Sequence, residues 1–304
     1  METTELVGLA LADQRSDPVA MREVDVFIDI PAAQYHSDKQ IVGHSALVQI
    51  LRSPEHFLHY ITPGGFKETP TLKFGTAVHC AYLEPEKFAK EYIEVPKFDR
   101  RTKEGKLKAE EYEALAGSKI TLEKPEMEMV QAILTKLRKQ VKAQRFRLAS
   151  VTEKSYFWVD EDTGIQCRIR CDMVVLDEHG NIVALLDLKT TPDASQGVFW
   201  RSIEDYGYDL QAAFYVDAVK VAIGREVPFF ILAVESAAPH GVALYRIGEA
   251  TIEVGRRKYR AALQLLDWCR KNDSYPSYQP QPYCEDEVID LPSWRIKQAL
   301  AEYA

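Results

Sequence analysis

The sequence predicts an α/β fold in which a mixed central sheet lies between helices, with a helical insertion over one side. Three observations predict it. Residues 166–191 read as a β-hairpin, because β-branched and apolar runs at 167–176 and 182–188 flank the turn formers Asp177, Glu178, His179, Gly180 and Asn181. Two more apolar runs, 227–234 and 242–247, read as further strands. Helical patterns at 208–223, stopped by Gly224, and at 249–270 alternate with them.

A chain of 304 residues with 46% hydrophobic content can bury one large α/β core or two smaller ones. The start, Met1 to Glu5, is acidic, and no segment approaches the roughly 20 apolar residues of a membrane span. A cytoplasmic protein with no membrane partner is expected. Five cysteines (Cys80, Cys167, Cys171, Cys269, Cys284) without close Cys-x-x-Cys spacing fit reduced thiols better than disulfides or a zinc or iron–sulfur site. The net charge of −8 argues against nonspecific coating of nucleic acid and leaves room for a local basic channel. Two basic clusters are candidates to line one: Lys97, Arg100, Arg101, Lys103, Lys106 and Lys108, then Lys136, Arg138, Lys139, Lys142, Arg145 and Arg147.

In chain order, residues 1–40 are polar apart from a strand-like run at 24–30, and a flexible N-terminal segment is expected there. The main domain is expected over 41–271, and a tether with a short helix over 272–304. A helix at 45–51 is followed by a second that Ser53 caps and Pro54 opens, a pair resembling a helical gate. His44, His56 and His59 read there as surface or packing residues. Thr76 is read as the cap of a helix that Pro85 limits, which puts His79 in its first turn, facing the carboxylates described below. Residues 97–150 read as the insertion, with breaks at Gly105 and Gly117 and a longer helix that Pro125 opens, over 125–147. A strand at 155–160 follows, with Glu153 just before it, and a turn at 161–164 leads into the hairpin.

Charged groups sit in the hairpin where a buried strand should have none. Asp172 interrupts its first strand, and Asp187 and Lys189 end the second on one face. Such groups are costly in a sheet unless paired or metal-bound. The two aspartates supply hard oxygen ligands for Mg²⁺ or Mn²⁺ beside a cation. Taken alone, so short a pattern is more often a salt bridge from Lys189 to Asp172 or Asp187 at a strand end, and the case for a metal site rests on the rest of the chain. On the helix at 208–223, Gln211 and Tyr215 stand at i and i+4 and can hydrogen-bond a phosphate or its water. The absence of an internal repeat, a phosphate-cradling Gly-rich loop and a Gly-x-Ser-x-Gly motif counts against P-loop hydrolases and serine esterases.

Taken together, these stretches resemble the PD-(D/E)XK nuclease superfamily, and within it the exonuclease VIII (RecE-type) group and its RecB-like relatives. The resemblance runs from residue 45 to the C-terminus, through Arg52-Ser53-Pro54, Gly75 to Pro85 around His79, Thr163 to Asp172, Leu186 to Thr191, Gln211 to Tyr215, and Leu291 to Trp294. Cys171 stands where the superfamily pattern has Pro, and the second acid is Asp187 rather than Glu. The C-terminal cysteine cluster of RecB-like iron–sulfur nucleases is missing, so no iron–sulfur cluster is expected.

The resemblance implies phosphodiester hydrolysis with Mg²⁺, Mn²⁺ being able to substitute. His79, Asp172, Asp187 and the Leu188 carbonyl would hold the ion, and Lys189 would position the water or stabilise developing charge. Gln211 and Tyr215 would orient the lysine, water or phosphate, with Glu153 as a further acidic candidate. It also implies a processive 5′ to 3′ exodeoxyribonuclease on linear double-stranded DNA that leaves 3′ single strands for an annealing protein of the RecT type. Such enzymes commonly form homo-oligomeric rings, tetramers among them. A single-strand-preferring RecB-like nuclease, an endonuclease of the same fold and an inactive DNA-binding module are the competing readings.

Overall fold

The computed structural model describes residues 26–65, 69–279 and 288–303. The N-terminal part of it is an isolated bridge from Ile28 to Ser155, then helix α1 (Ala32–Ser37). Of the flexible start expected over 1–40, residues 1–25 lie outside the described residues, and 26–40 pack on the sheet with Phe27 and Tyr35 buried. Arg168 and Arg170 hold this segment: they donate to the Tyr35 and Ile30 carbonyls and lie 4.7 and 5.6 Å from the centre of the Tyr35 ring.

Helices α2 (His44–Arg52) and α3 (Pro54–Ile61) follow as expected, with the Ser53 side chain accepting from the His56 N–H and Pro54 in the first turn. Helix α4 (Pro70–Leu83) begins earlier than expected. Thr69, not Thr76, is its cap, because Pro70 supplies the first-turn proline and Thr69 accepts from the Leu72 N–H. Thr76 lies mid-helix with its hydroxyl donating to the Leu72 carbonyl, so His79 is in the third turn rather than the first. Gly75 permits a close approach to the sheet, since a Cβ there would stand 3.3 Å from Thr190 Oγ1.

Beyond α5 (Pro85–Glu91), strand β1 (Tyr92–Val95) pairs in parallel across helix α6 (Lys103–Ala116) with β2 (Ile120–Glu123). These four-residue strands carry no readable alternation and were not expected. Gly105 sits inside α6, where the Thr102 cap accepts its N–H, whereas Gly117 does end the helix at φ 62°. The helix expected over 125–147 is two, α7 (Lys124–Lys139) and α8 (Val141–Leu148), broken where the Gln140 side chain caps the second.

The main sheet comprises β3 (Ser150–Val159), β4 (Gln166–Leu176), β5 (Ile182–Thr191), β6 (Phe229–Glu235) and β7 (Val242–Arg246), in that spatial order. Every pairing is antiparallel except β5 with β6, whose crossover carries α9 (Gln196–Asp205) and α10 (Tyr208–Ile223). Helix α9 was not anticipated. Helix α11 (Glu249–Asn272) follows β7, and α12 (Ser293–Glu302) buries no residue.

Both faces of the sheet are covered. On one, Leu47, Ile50, Phe57, Phe214 and Leu263 of α2, α3, α10 and α11 pack on Ile169, Val174 and Leu185. On the other, Val78 of α4, Val130, Ile133 and Leu137 of α7 and Ala143 of α8 pack on Met173, Val175, Leu186 and Leu188. Most of the stretch expected as an insertion is therefore one of the core layers, and only α6, with Ala109 as its one buried residue, is peripheral. The expected tether begins pinned rather than loose. The Glu55 N–H donates to the Pro276 carbonyl and Tyr275 stacks on Phe57, while residues 280–287, with Cys284, lie outside the described residues.

Candidate active site

The site forms where two paired strands part. The β4–β5 ladder runs from Leu176 and Ile182, across a bulge, to Met173 and Leu186 and ends there, so Asp172 and Asp187 occupy the fork. Past the fork β5 stays paired to β6 up to Thr191, and β4 stays paired to β3. A fork leaves backbone donors without a strand partner. The Leu188 N–H donates instead to Asp172 Oδ2, at 2.7 Å. On the neighbouring strand Glu153 stands opposite Asp172, between the pairs Thr152–Met173 and Lys154–Cys171, at φ 56°, in the left-handed region that few non-glycine residues enter.

His79, Glu153 and Asp172 each bring one ligand atom into a group whose members lie within 4.8 Å of one another. His79 Nδ1 is 3.3 Å from Asp172 Oδ2. Burial, reinforced by the Asp187 and Glu153 carboxylates, pushes the Asp172 pKa well above the carboxylate range; burial likewise raises Glu153 against its Arg170 partner. Burial lowers His79 to about 4, so near neutral pH its imidazole is uncharged, as a metal ligand must be. Two crowded carboxylates and a neutral imidazole fit a divalent cation, whose charge would relieve their repulsion.

The second group faces helix α10. Asp187 is 3% exposed; its Oδ1 accepts from Gln211 Nε2 at 2.6 Å, and its Oδ2 lies 2.6 Å from Lys189 Nζ. The same ammonium lies over the Tyr208 ring, 4.7 Å from its centre. Burial opposes the charge on Lys189, but Asp187, with smaller help from Tyr208 and Asp172, outweighs it and raises the pKa. Among the described residues Gln211 Oε1 is buried without a partner, an acceptor left over in the site. A cleft of about 1010 Å³ passes His79, Asp172 and Lys189, and a cavity of about 260 Å³ adjoins it, sharing Glu153, Arg170, Asp172 and Lys189 as lining.

Residues 43–287 match the family described as a PDDEXK-like domain of unknown function (DUF3799). The chain belongs to this family. No curated protein matches it. Among solved structures, a candidate exonuclease from Eubacterium rectale superposes with a TM-score of 0.56 at 14% identity, covering 89% of this chain and 98% of that one. At that identity the likeness speaks for the fold. The fold expected from the sequence is thereby borne out at the level of the superfamily, and neither comparison singles out the exonuclease VIII group.

For this PDDEXK-like domain the residues singled out in the sequence divide between the two groups. His79 and Asp172 come together as expected, and Glu153, read as lying just before a strand, is within β3 and completes their cluster. Asp187 is engaged by Lys189 and Gln211 and stands outside that cluster. The Leu188 backbone serves Asp172 through its N–H and has a hydrogen bond with the His79 ring. Tyr215 differs from expectation. Its hydroxyl donates to the Arg170 carbonyl at 3.1 Å, so it braces β4 behind Asp172 instead of reaching Lys189.

Three neighbours were missed. Arg170 Nε donates to Glu153 Oε2 at 2.6 Å, His44 Nε2 hydrogen-bonds the Gly207 carbonyl at 3.0 Å, and Tyr208 underlies Lys189. Arg170 was findable, because a charge in the middle of a buried strand is as anomalous as Asp172. Tyr208 precedes Gln211 by three residues and so shares its helix face, which was also findable.

Proposed function

We propose that this PDDEXK-like domain is a nuclease that hydrolyses DNA phosphodiester bonds with a divalent cation, and that it acts as an exodeoxyribonuclease on linear duplexes. The observation that carries the reading is that His79, Glu153 and Asp172 line one cleft together with Lys189, which the buried Asp187 holds from behind. The family match and the fold neighbour support a nuclease.

His79, Glu153 and Asp172 would hold Mg²⁺ or Mn²⁺, with Asp187 and the Leu188 carbonyl at the edge of the set. Such an ion supplies a Lewis acid for the phosphate and a lower pKa for water. Lys189, held between Asp187 and Tyr208, donates a hydrogen bond to the attacking water or to a phosphate oxygen as negative charge grows there. Gln211 fixes the Asp187 carboxylate and through it the lysine, while Tyr215 keeps β4 seated so that Asp172 faces the cleft.

Digestion from 5′ to 3′, processivity, a homo-oligomeric ring, a RecT-type annealing partner and a cytoplasmic setting belong to the proposal on the strength of the sequence motifs. So does the division into a catalytic unit over 41–271 and a C-terminal tether with its helix. A covalently closed circle and the same DNA linearised, each incubated with Mg²⁺, separate the competing readings. Loss of the linear form alone is expected; nicking of the circle would mean an endonuclease.

A further inference from the structure

One wall of the cleft carries an aromatic pair that the hydrolytic chemistry does not use. Tyr206 and Tyr208 flank the joint between α9 and α10, and both line the cleft together with His79, Asp172 and Lys189. Their rings lie 5.7 Å apart and tilted by 32°. Tyr208 is the inner ring, with the Lys189 ammonium over it. Tyr206 is the outer one and is 58% exposed.

The joint holds them firmly. Gly207 takes φ 67°, a Cβ on it would stand 2.9 Å from Val48 Cγ2, and its carbonyl is hydrogen-bonded to His44. No hydrogen bond to either hydroxyl occurs among the described residues. A half-exposed ring next to a backbone constrained in this way, lining the cleft of the candidate centre, is an apolar surface kept open at a cost in burial.

We propose that Tyr206, backed by Tyr208, is a stacking ledge for the nucleobase of an unpaired nucleotide adjoining the scissile phosphate. The inference rests on the nuclease reading and deepens it by naming what the cleft selects. A phosphate at the His79–Asp172 cluster would lie in the cleft that Tyr206 and Tyr208 also line, so that its own base faces the same walls. Inside a duplex both faces of that base are covered by its neighbours. At a frayed end or in a single strand one face is free, and an aromatic ring takes it regardless of sequence. The ledge therefore favours strand ends already unpaired and helps peel the terminal nucleotide from its complement.

The test uses the full chain and a short single-stranded oligonucleotide with 2-aminopurine as terminal base, whose fluorescence falls on stacking. Ca²⁺ replaces Mg²⁺ for binding, and cleavage with Mg²⁺ is followed separately. Quenching with wild type that persists in Tyr206→Trp and Tyr206→Phe and is lost in Tyr206→Ala is expected, as is a KM for frayed ends raised roughly 5- to 100-fold in Tyr206→Ala. Equal quenching in wild type and Tyr206→Ala, or none in wild type, overturns the ledge. If DNA is still cleaved in that case, the nuclease reading stands without it. Quenching without cleavage under any condition would keep the ledge and remove the nuclease.

Discussion

At the scale of single residues the site is a set of groups that cannot all be content without a cation. Asp172 and Glu153 face each other across a strand pair, Glu153 in a left-handed conformation held by the Arg170 guanidinium. The Arg170 guanidinium meets Glu153 from one side, and burial beside Asp187 and Glu153 pushes the Asp172 carboxyl well above its usual range, a cost that a divalent cation or a proton relieves. Direct Mn²⁺ binding measured by calorimetry, without DNA, should therefore weaken about 10-fold or more in Glu153→Gln, Asp172→Asn and His79→Ala. Tyr215→Phe should leave it unchanged, because the Tyr215 hydroxyl ends on the Arg170 carbonyl. Equal affinity in all four variants would dissolve the proposed metal site. The aspartates and Lys189 were legible in the sequence because charge inside an apolar strand is costly. Glu153 was only half legible: its place in β3 and its positive φ depend on the partner strand, which local pattern does not show.

At the scale of elements the hairpin was read correctly because its two strands are apolar runs on either side of a turn of Asp, Gly and Asn. The structure places them at Gln166–Leu176 and Ile182–Thr191, within a few residues of the reading. Helix α10 was likewise readable from its apolar pattern and the Gly224 stop, which takes φ 78°. Helix α9 was not, since it buries little beyond Phe199 and offers no continuous stripe. The start of α4 was misplaced because Thr76 looks like a cap when the packing of Gly75 on Thr190 is unknown.

The turn between β3 and β4 yields an independent check on how the elements are held. Asp160 accepts from the Thr163 N–H and hydroxyl and pairs with Arg260 of α11. Burial would raise its pKa, but the Arg260 and Thr163 hydrogen bonds outweigh that and lower it. A carboxylate so lowered adds stability above its unfolded pKa of about 3.9, and that stability is lost as pH falls through the folded value. Arg260→Ala should thus cost about 1–2 kcal/mol at pH 7, with the gap to wild type closing below about pH 4. Urea midpoints across pH measure it, and a gap independent of pH would contradict the pairing.

Across the whole molecule the two basic clusters separate into different kinds of surface. In the first, Arg100 pairs with Glu113, Arg101 with Asp99 and Lys108 with Glu104, so much of its charge is spent internally. In the second, Arg147 donates to the Tyr82 and Leu83 carbonyls and Lys142 lies over the Phe146 and Phe230 rings. Lys136, Arg138, Lys139 and Arg145 of that cluster are at least partly exposed, and no ion pair to them occurs among the described residues. Spacing alone ranked the clusters equally; the carboxylates that neutralise the first come from its own helix and flanking loop. Reversing Lys136, Arg138, Lys139 and Arg145 should weaken DNA binding and flatten its salt dependence by about one unit of log–log slope for each phosphate no longer neutralised. Reversing Arg100 and Arg101 should do so less, and the opposite order would show that the DNA path runs over α6.

The central claim is that the fork between β4 and β5 is a catalytic centre. Linear duplex DNA carrying a label at the 5′ or at the 3′ end, incubated with Mg²⁺ or with EDTA, tests it most directly in wild type and Lys189→Ala. The account predicts release of the 5′ label first, only with Mg²⁺, and a fall of at least about 100-fold in the variant. Duplex DNA that is bound but left whole by wild type with Mg²⁺ would contradict it and leave a DNA-binding module on a nuclease fold.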